Sequence, residues 1–191
     1  MKDKRLKSDK LRFSKISQFV KGDSILDIGA SEGNVHNMLK SKFKDKQVFS
    51  MDSVGKPDFK VNLDNPKKIN KKFDTVIGGE ILEHVICPMK FLKYCKDLLK
   101  KEGILIITTP NAIGIQYIKN PSWCVNYEDY RGHSQAFTLP MLEKNLKELG
   151  FKIIHMEYIN AFWIKNPLEY FSLIFKRFRP DLMIVAEKLV Y

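Results

Sequence analysis

The sequence predicts an α/β fold, with a seven-stranded, mainly parallel sheet, an antiparallel edge strand and helices on both faces. Short apolar runs alternate with segments whose apolar residues repeat at helical spacing, which is the order of a parallel sheet with crossover helices. A glycine turn directly follows the first run, as at the end of a buried strand. The last two runs lack a helical crossover of the earlier kind, which favours antiparallel pairing at the edge.

The first half of the chain holds four predicted strands. Residues 1–13 are mostly charged, so we expect this end to be frayed and a short amphipathic helix to begin near Ser14. After the first strand, Val35, Leu39 and Phe43 repeat at helical spacing. Strands are predicted for the runs 24–29, 47–52, 59–61 and 73–78.

The second half holds the clearest helix signals. Pro88 begins a helix that Gly103 closes, and a continuous apolar strand follows over 104–108. Thr138 is expected to cap a second helix, which ends at Gly150. Late strands are predicted over 151–158 and 182–189.

Two irregular segments interrupt this pattern. Residues 111–133 have no clean period and are predicted to form a lid loop. Residues 160–179 form an aromatic, partly helical insertion, which we interpret as a buried cap. Its segment 162–179 combines Phe and Leu with basic side chains, so peripheral contact with an anionic membrane is the alternative. Aromatic residues of both segments could wall a flat or greasy substrate, or simply pack in a core: Trp123, Tyr127, Tyr130 and Trp163.

Composition indicates one ordinary globular domain over 1–191, with 44% hydrophobic and 29% charged residues. The excess of 33 Lys and Arg over 22 Asp and Glu gives a net charge of +11, which attracts phosphate groups of nucleic acid, lipid or nucleotide-linked substrates. A solvated lysine-rich surface explains the same excess. Cys87, Cys95 and Cys124 have no CxxC spacing, and neither a signal peptide nor a membrane-spanning run is visible. We therefore expect a cytoplasmic protein.

The first predicted strand ends in a glycine turn, Asp27-x-Gly29-x-Ser31-x-Gly33, at the sheet edge where open α/β folds bind ligands. A dinucleotide site would have glycine where Ser31 stands and again three residues later. Asp27 would repel a pyrophosphate, but it suits a ligand that carries an ammonium group. Asp52 ends the second strand and is placed to accept hydrogen bonds from both hydroxyls of a ribose. A surface aspartate capping a turn is the alternative for that residue.

These motifs resemble those of class I S-adenosylmethionine-dependent methyltransferases, and most closely the branch that contains the ubiquinone-pathway O-methyltransferases. The resemblance covers roughly residues 20 to 158 and implies a Rossmann-like fold with S-adenosylmethionine as cofactor. Ser31 stands where the family usually has its second glycine, so we expect weaker or slightly shifted binding. The likeness lies in the segments 24–33, 51–52, 73–85, 103–111, 132–138 and 149–151.

The resemblance implies specific cofactor contacts. Asp27 and Gly29 would lie by the methionine end, and Asp52 would hold the ribose. Asn62 stands in place of the Asp that usually contacts the adenine amine, and its side-chain oxygen can still accept that hydrogen bond. The complete implied set is Asp27, Gly29, Ala30, Ser31, Gly33, Asp52, Ser53, Asn62, Leu63, Gly79 and Glu80.

A carboxylate and histidine cluster follows the fourth strand. On a helix, Glu80, Glu83 and His84 would share one face, and with His133 from the predicted lid they could bind Mg²⁺ or Mn²⁺. The pattern resembles methyltransferases that modify the 3′-terminal ribose of small RNAs. Glu-His at this place is also widespread in the family without a metal. In that case His84 would either orient a loop or act as general base, His133 is the other candidate base, and Glu80 is a further catalytic candidate.

These features favour S-adenosylmethionine-dependent O-methylation of a small molecule, a lipid or a sugar intermediate by in-line methyl transfer. One alternative is metal-assisted 2′-O-methylation of an RNA ribose. The other is a nucleotide-binding α/β domain without catalysis. The remaining histidines, His36 and His155, are interpreted as structural.

Overall fold

A seven-stranded sheet organises the chain in the computed structural model, which describes residues 2–30, 33–119, 132–159 and 167–189. The strands are β1 (Ser24–Ile28), β2 (Gln47–Asp52), β3 (Phe59–Lys60), β4 (Phe73–Gly79), β5 (Leu99–Pro110), β6 (Phe151–Ile159) and β7 (Asp181–Lys188). The α-helices are α1 (Lys2–Ile16), α2 (Asn34–Lys42), α3 (Pro88–Leu98), α4 (Ile115–Lys119), α5 (Leu139–Glu148) and α6 (Pro167–Ile174). Short 3₁₀ turns occupy Leu82–His84 and Lys176–Phe178.

The strand order is β3-β2-β1-β4-β5-β7-β6. Parallel pairing joins β3, β2, β1, β4 and β5, whereas β7 lies between β5 and β6 and runs antiparallel to both. The predicted fold class is therefore confirmed, with the reversed strand next to the edge. Chain order reverses between β1 and β4, and open α/β sheets bind ligands at such a switch point.

Both faces of the sheet are covered by apolar helix faces. On one side, Phe91 of α3 and Leu142 of α5 pack in the same core cluster as Leu26 of β1. On the other side, Ile16 at the end of α1 packs with Ile25 of β1. Neighbouring residues of β1 thus enter opposite layers, because successive side chains of a strand point to opposite faces.

The helices with the strongest sequence signals form as predicted. Pro88 begins α3 as predicted. Strand β5 starts directly after this helix, at Leu99, so the helix ends before the predicted stop at Gly103. Thr138 precedes α5, but its side chain makes no capping hydrogen bond. Gly150 follows α5 with φ +73°, in the left-handed region where glycine commonly ends helices.

The predicted fraying at the N-terminus is wrong for the described residues. Helix α1 spans Lys2–Ile16 and packs on α2, so it ends close to where the sequence predicted a helix to begin. The charge-rich composition suggested a solvated end. In the fold, however, Arg12 of this helix is paired with carboxylates far along the chain, those of Glu80 and Asp181, and Ile16 is buried against the sheet.

The structure describes only parts of the predicted lid and cap. Within 111–133 it shows the short helix α4, and within 160–179 it shows α6 and the following 3₁₀ turn. The interpretation as a buried cap is wrong for 170–177, where every side chain except that of Ser172 is exposed. Among the described residues, no helix has both the length and the apolar character needed to cross a bilayer. The following residues lie outside the described part of the chain: Ser31, Trp123, Cys124, Tyr127, Tyr130 and Trp163.

Candidate active site

The predicted cofactor residues meet at the carboxyl ends of three neighbouring strands. Strand β1 lies between β2 and β4, and Ile28 is in register with Met51 of β2 and Gly78 of β4. The turn after β1, the end of β2 and the end of β4 therefore lie on one edge of the sheet.

The turn after β1 depends on glycine. Gly29 has φ +78°, which residues with a Cβ rarely adopt, and its N–H donates to the Met51 carbonyl oxygen at 2.8 Å. A Cβ added at Gly29 would lie 3.2 Å from the Ile81 side chain. At the other end, the Gly33 N–H donates to the Ala30 carbonyl oxygen at 2.7 Å, and an added Cβ would lie 2.9 Å from that oxygen. Gly29 thus packs the turn against Met51 and Ile81, at the strand end where a ligand was predicted to bind.

Asp27 is a buried carboxylate beside this turn. Burial raises its pKa, the nearby His36 opposes the rise, and the charge of Asp52 adds to it. The Nδ1 atom of His36 lies 3.5 Å from Oδ2 of Asp27. The sequence favoured a structural role for His36, but the first turn of α2 brings its side chain to the predicted cofactor residue.

Asp52 is buried at the end of β2 and shapes the turn that follows. Its Oδ1 accepts hydrogen bonds from the N–H groups of Ser53 at 2.6 Å and Val54 at 3.1 Å. The structure thus shows the turn-capping role that the sequence offered as an alternative. That role fixes the carboxylate at the strand end where a ribose was predicted to bind.

The predicted adenine residues lie next to Asp52. The Val61 N–H donates to the Asp52 carbonyl oxygen at 2.9 Å, so this segment runs beside the end of β2. Leu63 is buried, and Asn62 is exposed with its side-chain oxygen accepting the Asp64 N–H at 3.0 Å. An adenine-specific contact by Asn62 would have to compete with this local hydrogen bond.

Glu80 directly follows β4 in an unusual backbone conformation. Its φ of +52° lies in the left-handed region, and its N–H donates to the Thr108 carbonyl oxygen at 2.9 Å. Strained residues of this kind concentrate at functional sites. The Glu80 carboxylate lies 3.2 Å from the Arg12 guanidinium, so the side chain is held toward α1.

Arg12 is the functional candidate that sequence analysis missed. Its guanidinium lies 2.6 Å from Asp9, 3.2 Å from Glu80 and 3.4 Å from Asp181. Burial alone would lower the pKa of Arg12, but the surrounding carboxylates raise it overall. Burial and the Glu80 charge raise the pKa of Asp181, while Arg12 opposes that rise. The spacing of Asp9 and Arg12 on one face of α1 was the available sequence signal, since the other partners of Arg12, Glu80 and Asp181, lie far along the chain.

Glu83 is buried behind this cluster. Its Oε2 accepts a hydrogen bond from the Thr109 hydroxyl at 2.9 Å, and burial together with the Glu80 charge raises its pKa well above the ordinary range. The predicted shared helix face is wrong, because a 3₁₀ turn covers only Leu82–His84 and Glu80 precedes it.

His133 is nevertheless brought to Glu83, as predicted. The next residue, Ser134, donates its N–H to the Glu83 carbonyl oxygen at 2.9 Å. The ring centroids of His84 and His133 lie 4.9 Å apart. One possible ligand atom from each of Glu83, His84 and His133 lies within 4.8 Å of the others. The predicted metal set thus keeps three members in one group, while Glu80 faces Arg12.

Comparison with known proteins agrees with this architecture. A family model described as a methyltransferase domain matches residues 2–156. The ubiquinone biosynthesis O-methyltransferase of Pelagibacter ubique is 36% identical over 97 residues, which cover 51% of this chain and 37% of that protein. The enzyme of the same name from Dinoroseobacter shibae is 46% identical over 41 residues, or 22% of this chain and 16% of that protein. The matches therefore span well under half of these relatives.

Solved methyltransferase structures share the fold. One is the methyltransferase in complex with the Haloferax volcanii Trm112 methyltransferase activator, with a TM-score of 0.72, 15% identity, and coverage of 100% of this chain and 92% of that chain. Another is an S-adenosylmethionine-dependent methyltransferase from Archaeoglobus fulgidus, with a TM-score of 0.65, 19% identity, and coverage of 97% and 94%. At these identities the likeness concerns the fold alone.

Proposed function

The chain belongs to the class I S-adenosylmethionine-dependent methyltransferase family, and from that premise we propose that it methylates an oxygen atom of a small molecule. The observation that carries the proposal is the meeting of Asp27, the Gly29 turn and Asp52 on one sheet edge. Similarity to ubiquinone biosynthesis O-methyltransferases supports oxygen as the acceptor atom.

The residues at this edge fit the proposed cofactor. Buried Asp27 lies close enough to Asp52 for the two charges to disfavour each other, so a cationic ligand would compensate them. The left-handed Gly29 turn joins the backbone after β1 to the end of β2 and keeps the two carboxylates at the same strand ends. We assign Asp27, Gly29, Ala30, Ser31 and Gly33 to the methionine end. The adenosine would be held by Asp52, Ser53, Asn62 and Leu63, with Gly79 and Glu80 lining the transfer face.

When bound, S-adenosylmethionine supplies an electrophilic methyl group on a positively charged sulfur. The protein then has to orient the acceptor oxygen, exclude water and accept a proton. We assign proton acceptance to an imidazole nitrogen of His84 or His133, whose rings lie together near Glu83. Glu80 is instead engaged by Arg12, which favours a role in shaping the site over one in proton transfer.

The acceptor atom can be tested with matched small molecules. Transfer of a labelled methyl group to catechol should exceed transfer to ortho-phenylenediamine, in which nitrogen replaces both oxygens. Incubation without protein and with heat-denatured protein gives the background. Equal or faster labelling of the diamine would contradict O-methylation while leaving methyl transfer itself intact.

Metal-assisted methylation of an RNA ribose is a second candidate. The grouping of Glu83, His84 and His133 favours it, because a carboxylate and two imidazoles can hold a divalent ion that lowers the pKa of a bound hydroxyl. Oε1 of Glu83 accepts no hydrogen bond from the described residues and lies 3.8 Å from Nε2 of His84, so it fits a metal ligand. The net charge of +11 would attract the phosphates.

Short RNAs decide between the two candidates. RNA methylation should stop in EDTA, return with Mn²⁺ or Mg²⁺, and fall steeply between 50 and 200 mM salt. An RNA whose terminal ribose has been oxidised with periodate is the matched control. Methylation of catechol that EDTA leaves unchanged, with none of the RNA, would exclude this candidate.

A further inference from the structure

Apolar side chains are concentrated in one short exposed segment, residues 170–177, which we call the α6 surface. Ser172 is buried against the protein, so its neighbours along the segment face outward. The exposed fractions are 59% for Tyr170, 41% for Phe171, 39% for Leu173, 76% for Ile174 and 48% for Phe175. Contiguous apolar exposure of this kind marks a site of interaction.

Aromatic rings reinforce each other on this surface. The ring centroid of Phe171 lies 4.4 Å from that of Phe175 and 5.3 Å from that of Phe178. The Arg177 guanidinium lies 5.0 Å from the Phe178 ring centroid. Rings packed on each other beside a cation form a surface that is apolar at its centre and positively charged at its margin.

Charge identifies the kind of partner. Lys176 and Arg177 are exposed at the end of the α6 surface, and residues 170–179 contain no acidic side chain. Exposed Phe, Leu and Tyr beside basic groups match the interface of an anionic membrane.

The α6 surface is fixed to the catalytic edge of the sheet. The Asn111 side chain donates to the carbonyl oxygens of Arg177 at 2.8 Å and Arg179 at 2.7 Å. Immediately after this segment, Asp181 begins β7 opposite Pro110 at the carboxyl end of β5. Because β7 runs antiparallel, the segment before it lies at the edge where β1, β4 and β5 end.

We propose that the α6 surface rests on an anionic phospholipid membrane and turns the catalytic edge toward it. The apolar side chains enter the interface, and Lys176 and Arg177 meet the lipid phosphates. The acceptor is then a hydroxyl compound that resides in the membrane. Only this last step rests on the proposed methyl transfer, since the membrane contact depends on the α6 surface alone.

Co-sedimentation with vesicles tests the membrane contact. The full chain should bind vesicles containing 30 mol% phosphatidylglycerol and bind pure phosphatidylcholine at least several-fold more weakly. The double variant Ile174→Gln and Phe175→Gln should reduce the partition coefficient about tenfold or more. The control is Ile154→Gln with Met156→Gln on β6, which removes two side chains of 44% and 38% exposure and should change nothing.

Several outcomes would overturn the proposal. They are no binding of the wild type to anionic vesicles, equal losses in both double variants, or a dimer in sedimentation velocity that Phe175→Gln dissociates. Calorimetric titration of the same preparations with S-adenosylmethionine keeps the two proposals separate. Cofactor binding without vesicle binding contradicts only the membrane contact, and vesicle binding without cofactor binding contradicts only the proposed function.

Discussion

At the ends of β1 and β2, buried carboxylates are held by contacts close in sequence: Asp27 by a histidine of the following helix, and Asp52 by the two N–H groups after it. At the ends of β4, β5 and β7, the charged groups depend on distant partners, as Arg12 of α1 does on Glu80 and Asp181. The first region can therefore be encoded in a short motif, whereas the second exists only in the folded chain. We call the region at the ends of β1 and β2 the cofactor half of the proposed site, and the region at the ends of β4, β5 and β7 its acceptor half.

The largest expected effect comes from histidine substitutions that disable the acceptor half and leave the cofactor half intact. If an imidazole takes the acceptor proton, one of the single variants His84→Gln and His133→Gln lacks the general base. That variant should have a kcat about 100- to 10,000-fold lower than wild type. S-adenosylmethionine affinity should stay within about twofold of wild type, as expected for a group outside the cofactor site. The control is His155→Gln, which changes a histidine of β6 that is stacked on Phe19. Full activity in both site variants would remove the histidines from the mechanism.

The next effect concerns the long-range cluster around Arg12. Arg12→Met leaves the buried carboxylates of Asp9 and Asp181 and the half-buried carboxylate of Glu80 without their cation, and should lower the free energy of unfolding by about 3–5 kcal/mol, as measured in urea. Lys15→Met, a change on the same helix, removes a partly exposed pair with Glu157 of β6 and should cost about 1 kcal/mol or less. Equal losses in the two variants would show that the cluster contributes no more than an ordinary surface pair.

The same contrast explains what the sequence could and could not predict. The β1 turn and Asp52 were predicted, because glycine at a strand end and an acid at the next strand end are local signals. Arg12 was missed since Glu80, directly after β4, and Asp181, at the start of β7, are far along the chain. Glu80 was misplaced because its spacing to His84 suggested a helix, whereas left-handed φ and a 3₁₀ turn direct it to Arg12.

The exposure of α6 was also beyond local prediction. An aromatic segment has the same composition whether it covers a site or faces outward. Its orientation is set by contacts such as those of Asn111 with the backbone of 177–179, which no periodicity reveals.

The substitution Asp27→Asn should have smaller effects, and these should be opposite: a more stable fold but weaker cofactor binding. Burial raises its pKa, so the folded state binds a proton that the unfolded state releases, and stability falls as pH rises through the folded pKa. Asp27→Asn should therefore stabilise the cofactor-free protein at pH 8, and this gain should shrink as the pH falls toward the pKa of aspartate in the unfolded chain. Its affinity for S-adenosylmethionine should fall about tenfold or more, because the amide cannot compensate the ammonium charge. Thermal unfolding with and without cofactor measures both, and destabilisation at pH 8 would contradict the role given to burial.

Calorimetric titration with S-adenosylmethionine, on wild type, Asp52→Ala and the exposed-site control Asp45→Ala, tests the cofactor assignment most directly. We expect binding by wild type and by Asp45→Ala, and affinity about 100-fold weaker for Asp52→Ala, since two hydrogen bonds to a charged carboxylate are lost. Absence of binding by the wild type, or equal affinity of a folded Asp52→Ala, would contradict the assignment of this sheet edge to the cofactor.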